Sequence, residues 1–161
     1  MIEEPPISAE RSRIMASVRG KDTKPEMTVR RLAHALGYRF RLHRRDLPGR
    51  PDIVFPARKK VIFVHGCFWH QHRGCRKATI PKTRREFWQA KLTKNEARDG
   101  RMIVALEAIG WAALVIWECQ TRDAESLART LRSYLRGGLT GPAGLEKKSA
   151  RARNGVGRSA E

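Results

Sequence analysis

The stretch Val61 to Cys75, VIFVHGCFWHQHRGC, constrains this chain more than any other. A β-branched and aromatic run stops abruptly at two cysteines and three histidines, set around Phe68 and Trp69. The run reads as a buried strand. The segment beyond it is irregular and rich in metal-ligand side chains, so it needs something other than apolar packing to hold it. A second block, Leu47-Pro48-Gly49-Arg50-Pro51-Asp52, puts a carboxylate at the start of another apolar run. Together the two blocks predict a metal-dependent enzyme acting on nucleic acid.

Charge supports that expectation. In 161 residues, 34 Lys and Arg stand against 16 Asp and Glu, a net charge of +18. Such an excess repels itself unless a polyanion offsets it. Nucleic acid is the first candidate partner and an anionic membrane surface the second. No run approaches the roughly 18 apolar residues that span a bilayer. The N-terminal segment has no signal-like apolar region, so a cytoplasmic protein is expected. Three cysteines in such a compartment are poor disulfide material and better read as metal ligands or isolated thiols.

The length fits one domain, divided as an N-terminal arm (1–20), a main domain (21–136) and a basic, disordered tail (137–161). Ser8 to Val18 reads as a short helix with Met15 on a weakly apolar face. Pro25 suits the first turn of a second helix ending at Leu36, with Gly37 beyond its C-terminus. Tyr38 to His43 alternates as a half-exposed strand, with Tyr38, Phe40 and Leu42 on one face and Arg39, Arg41 and His43 on the other. Short strands are expected at Asp52 to Phe55 and Lys60 to His65. Thr83 to Ile109 is helical, in two pieces broken near Thr93, with Ile103, Leu106 and Ile109 buried. Trp111 to Trp117 is apolar enough to be a central strand. Ala124 to Leu135 is a last amphipathic helix. That order implies an α/β fold: a small mixed sheet flanked by helices on both faces.

Cys67, His72 and Cys75 have C-x4-H-x2-C spacing, and Cys119, at a strand end, is the remaining cysteine. Three thiolates and an imidazole make a closed tetrahedral, structural Zn²⁺ site. His65 or His70 could replace His72 in it. Phosphodiester hydrolysis needs a cation on the non-bridging oxygens, an activated water and help for the leaving oxygen. Asp52 is the hard-oxygen ligand suited to Mg²⁺, and His70 a suitable base. Phe68 and Trp69 in the loop, and Trp88 among basic residues, suit a wedge between base pairs, as does Met15. Each also has an ordinary reading: a turn-closing carboxylate, an exposed loop histidine, plain packing.

These residues resemble the very-short-patch repair endonucleases, the mismatch nickases that accompany bacterial cytosine-5 DNA methyltransferases. The likeness runs from about Arg11 to Leu135, through LPGRPD (Leu47 to Asp52), VIFVHGCFWHQH (Val61 to His72), TRREFWQAKLTKNEARD (Thr83 to Asp99), Gly110-Trp111 and VIWEC (Val115 to Cys119). It implies a restriction-endonuclease-like core with a structural zinc site. It also implies a Mg²⁺-dependent nick 5′ of the thymine in G·T mismatches left by 5-methylcytosine deamination. By the same resemblance Asp52 and the Val64 backbone carbonyl would bind Mg²⁺, and His70 would activate water with Asp99 orienting it. Glu26 and His65 would contact metal-bound waters. Cys67, His72, Cys75 and Cys119 would hold zinc. Phe68, Trp69 and Trp88 would form the wedge, with Met15 entering from the opposite groove. Two features depart from the family pattern: Val64 where a threonine can stand, and Gly74 as an insertion before Cys75.

The implied partner is double-stranded DNA carrying a G·T mismatch, cut by a monomer associated with the nucleoid. Coupling to mismatch-repair proteins is implied by the resemblance alone. Two other readings stay open: a double-strand-cutting, restriction-type nuclease, and a zinc-stabilised DNA-binding protein without catalysis.

Overall fold

The computed structural model describes Arg13 and residues 20–136. Met15, the remainder of the N-terminal arm and the basic tail lie outside the described residues. Four strands form one sheet in the order β1 (Arg41–Leu42), β2 (Ile53–Phe55), β3 (Lys60–His65), β4 (Ala112–Trp117). The first two pairings are antiparallel, and β3 pairs β4 in parallel with His65 opposite Trp117. A parallel pair needs a long crossover, supplied by helix α2 (Arg85–Ala108).

Helix α1 (Lys24–Ala35) starts where Thr23 accepts the Glu26 N–H, with Pro25 in its first turn. It stops at Gly37 (φ 86°), where the Gly37 N–H bonds His34 O and the Tyr38 N–H bonds Ala33 O. That paired closure is what a left-handed glycine permits. Helix α3 (Ala124–Arg136) closes the described residues.

Strand alternation sorts the core into two layers. Ile53, Phe55, Ile62 and Ile116 face α1 and α3, meeting Val29, Ala33, Leu127, Leu131 and Leu135. Val54, Val61 and Phe63 face the other way, against Leu47 and Leu106 of α2. The α/β expectation, a small mixed sheet covered on both faces, is what the structure has.

Four expectations need correcting. Strand β4 is at the edge of the described sheet, not central. Its residues are apolar because helices cover both faces: Leu114 and Ile116 face one core, Ala113 and Val115 the other. Helix α2 runs unbroken through Thr93, because a lone threonine costs a helix only tenths of a kcal/mol. Ile109 is exposed, since the helix ends before it, whereas Leu106 is buried and Ile103 packs against the same core. The expected strand from Tyr38 to His43 is paired only at Arg41 and Leu42, and Leu42 faces out. Tyr38 and Phe40 instead pack edge-on against Phe55 from irregular backbone.

Candidate active site and metal centre

Both candidate centres sit where β3 and β4 end. Because these strands are parallel neighbours, the chain leaves the sheet twice on the same side, after His65 and after Trp117. Cys67 and Cys119 are each two residues beyond, which is why residues far apart in sequence meet.

The ligand atoms of Cys67, His72, Cys75 and Cys119 lie within 4.8 Å of one another. His72 Nδ1 is 3.3 Å from Cys119 Sγ and 3.7 Å from Cys67 Sγ. A tetrahedron built from ordinary Zn–S and Zn–N bonds has S···N edges of about 3.6 Å, so these donors fit a zinc ion. Burial and the neighbouring thiols push the Cys67 thiol up to about 12. Gathered thiols of that kind favour a cation that replaces their protons. Trp117 stacks flat on His72 (centroids 4.3 Å, 7°) and meets His65 edge-on at 5.4 Å. His65 and His70 did not join the thiols.

They form a second group with Asp99. His70 and His65 stack at 3.8 Å with planes 10° apart. His70 Nδ1 lies 2.5 Å from Asp99 Oδ2. A carboxylate there accepts a hydrogen bond from Nδ1–H and so keeps the ring proton on Nδ1, which leaves Nε2 as an acceptor for a water. Burial would raise the Asp99 carboxyl, but the His70 hydrogen bond and nearby positive charge hold it below its ordinary value. Burial, with His70 beside it, drives His65 down to about 3. A neutral His65 adds no second charge beside the base. The loop bearing His70 is tied to α2, where Asn95 Nδ2 donates to Trp69 O at 3.0 Å.

Asp52 follows the turn at Gly49, whose φ of 73° and close approach to Met102 and Phe63 leave no room for a side chain. Asp52 Oδ2 accepts the Val64 N–H at 2.7 Å, so carboxylate and strand end are fixed together. Burial raises the Asp52 carboxyl to about 6, against that hydrogen bond, and Glu26 adds to the rise. Glu26 accepts from Arg30 at 2.8 Å and from the Asp22 N–H at 3.0 Å.

Glu26, Asp52, His65, His70 and Asp99 all line one cleft of about 1130 Å³. Exposed Lys21, Lys24, Arg45, Arg50 and Arg98 share its walls. Trp69 lines it too and belongs to an aromatic cluster outside the apolar cores. It lies 5.1 Å from Phe68 and 6.1 Å from Trp88. Phe68 is 5.6 Å from Trp88. Lys91 sits over the Trp69 and Trp88 rings at 5.5 and 5.7 Å.

Sequence patterns alone passed over His43, Arg30, Asn95 and Trp117. Strand alternation set His43 on an outer face; its signal was its place opposite Asp52 in the β1–β2 hairpin, and its backbone N–H bonds Asp52 O at 3.4 Å. Among the described residues no helix is long and apolar enough to cross a membrane.

The family model for DNA mismatch endonuclease Vsr matches residues 7–77. The type II nicking enzyme V.XorIIP of Xanthomonas oryzae pv. oryzae is 54% identical over 130 residues, covering 80% of this chain and 95% of that one. The DNA mismatch endonuclease Vsr of Escherichia coli is 44% identical over 119 residues, 74% and 76% of the two chains. The type II nicking enzyme V.NmeAIP of Neisseria meningitidis is 39% identical over 129 residues, 80% and 91%.

Proposed function

The chain belongs to the Vsr family of DNA mismatch endonucleases and is a DNA-nicking endonuclease; from that premise we propose that it cuts 5′ of a thymine mispaired with guanine, using Mg²⁺. The observation that carries this reading is the single cleft. Asp52, the His70–Asp99 pair and His65 face it, basic residues share its walls, and an aromatic cluster adjoins it at Trp69.

Exposed Lys and Arg draw in the duplex and neutralise its phosphates. Phe68, Trp69 and Trp88 wedge into the stack, with Met15 from the arm entering opposite. A G·T pair stacks poorly, so opening beside it costs less than at a Watson–Crick pair, a difference of about 1–2 kcal/mol that selects the mismatch. The adjacent phosphate then reaches Asp52 and the Val64 carbonyl, the oxygens that would hold Mg²⁺. When bound there, the ion would neutralise the phosphate and stabilise the leaving 3′-oxygen. His70 Nε2 accepts the proton of the attacking water, and Asp99 stabilises the imidazolium that results. His65 stacks on the base, and Glu26 and His65 would contact metal-bound waters. Cys67, His72, Cys75 and Cys119 would hold a structural Zn²⁺ that fixes the loop carrying Phe68, Trp69 and the base.

One such site cuts one strand, so the nickase acts as a monomer in the bacterial cytoplasm, on nucleoid DNA. Mismatch-repair proteins are its proposed coupling partners.

The test is Mg²⁺-dependent cleavage of duplexes differing only in one pair, G·T or G·C, across several cytosine-methylation contexts. The expected result is one nick 5′ of the mispaired thymine. It is absent from G·C duplexes and from Asp52→Ala, which still binds. Cutting of G·C duplexes, or of both strands, would point to a restriction-type nuclease. Binding without any cut would point to a DNA-binding protein.

A further inference from the structure

A buried arginine lies behind two residues of the cleft lining, Glu26 and His43. Arg30 is 7% exposed. Its guanidinium donates to Asp22 Oδ1 at 2.6 Å, to Glu26 Oε2 at 2.8 Å, and lies 2.9 Å from His43 Nε2. The donor atoms of Asp22, Glu26 and His43 lie within 4.8 Å of one another, a spacing that could hold a metal. The guanidinium already stands among them, so this group is an arginine clamp and not an ion site.

The clamp has a consequence for His43. An arginine only donates, so His43 Nε2 accepts and the ring proton sits on Nδ1. Nδ1 faces Asp52, 3.9 Å from Oδ1. The other oxygen, Oδ2, is held by the Val64 N–H. Each oxygen of the carboxylate therefore faces an N–H, one from the strand end and one from a ring whose tautomer is set from behind. At 3.9 Å the His43 contact is slightly too long for a direct hydrogen bond, a common condition for active-site contacts before substrate binds.

We propose that His43 is a further positioning residue of the metal site, orienting Asp52 through its Nδ1–H, with Arg30 fixing the tautomer. The proposal rests on the reading of Asp52 as the metal-binding carboxylate. The arrangement parallels the His70–Asp99 pair with the order reversed: there a carboxylate sets the imidazole, here an imidazole sets the carboxylate. Outer partners of this kind orient ligands and tune metal affinity.

The experiment is Mn²⁺ binding to the zinc-loaded full chain, with free ion monitored by electron paramagnetic resonance and without any cleavage readout. His43 has a left-handed backbone (φ 46°), which asparagine tolerates well. His43→Asn also keeps an N–H close to the Nδ1 position, whereas His43→Leu removes it. The expected result is Mn²⁺ binding weakened about tenfold in His43→Leu and restored to within about threefold in His43→Asn. Thermal melting confirms that both variants fold. Parental Mn²⁺ affinity in His43→Leu overturns the proposal, as does equal weakening in both variants. Asp52→Ala, run alongside, separates the two levels. If it leaves Mn²⁺ binding intact, the Asp52 reading itself fails and the proposal with it.

Discussion

At the scale of single residues, Asp52 is a carboxylate held where it is uncomfortable without a cation. Its folded pKa, about 6, lies above the ordinary 3.8 because burial opposes the charge. The folded state therefore holds its proton more tightly than the unfolded chain. The contribution to stability is fully present below the ordinary value and is lost as pH rises through about 6. Asp52→Asn keeps an oxygen for the Val64 N–H and removes the charge. In magnesium-free buffer it should stabilise the fold by up to about 3 kcal/mol at pH 8 and by nothing near pH 3. Denaturant titrations at the two pH values check this; an equal effect at both would show that burial of the charge is not the cause. The same residue should then be essential for nicking, so stability and activity move in opposite directions.

At the scale of elements, the loop from Gly66 to Pro81 matters most. It contains no strand and only one short 3₁₀ turn, at Arg76–Ala78, yet it carries Trp69, His70 and three of the four thiol and imidazole donors. Its own hydrogen bonds are mostly local turns. A metal ion held jointly with Cys119 would tie it to the far strand end. Stripping zinc, or Cys75→Ser, should release one zinc per chain and lower the melting temperature by on the order of 10 °C. Nicking should be lost with it, because the proposed base, His70, and two of the three wedge rings, Phe68 and Trp69, ride on that loop. Atomic absorption beside a melting curve reads both. A zinc-free chain with unchanged melting would mean that the loop is held by packing alone.

For the whole molecule, charge and wedge should separate in binding experiments. Arg45 is exposed on the cleft wall and meets no aromatic ring of the cluster. Arg45→Ala should weaken G·T and G·C duplexes alike and reduce the log–log salt slope by about one. Trp88→Ala should leave that slope unchanged and narrow the preference for G·T by about 1–2 kcal/mol, the cost it removes from unstacking. Fluorescence anisotropy on both duplexes over a salt series distinguishes the two. If Trp88→Ala weakens both duplexes equally, the cluster is a packing element and not a wedge.

The residue order alone made several things legible, because they depend on local chemistry. The buried run of β3, the glycine-stopped helix α1 and the C-x4-H-x2-C spacing are properties of short segments, and the excess of Lys and Arg is one of composition. The resemblance carried the larger blocks, and with them the family. Pairing was decided only in the tertiary structure. An apolar strand reads the same whether strands flank it or helices cover it, so sequence does not distinguish the edge position of β4 from a central one. A histidine at the end of an alternating strand reads as exposed, and only the hairpin puts His43 opposite Asp52. Parallel pairing of β3 with β4 brought Cys119 to Cys67 and set Trp117 between His72 and His65. Those meetings are long-range, and no local pattern of side chains encodes them.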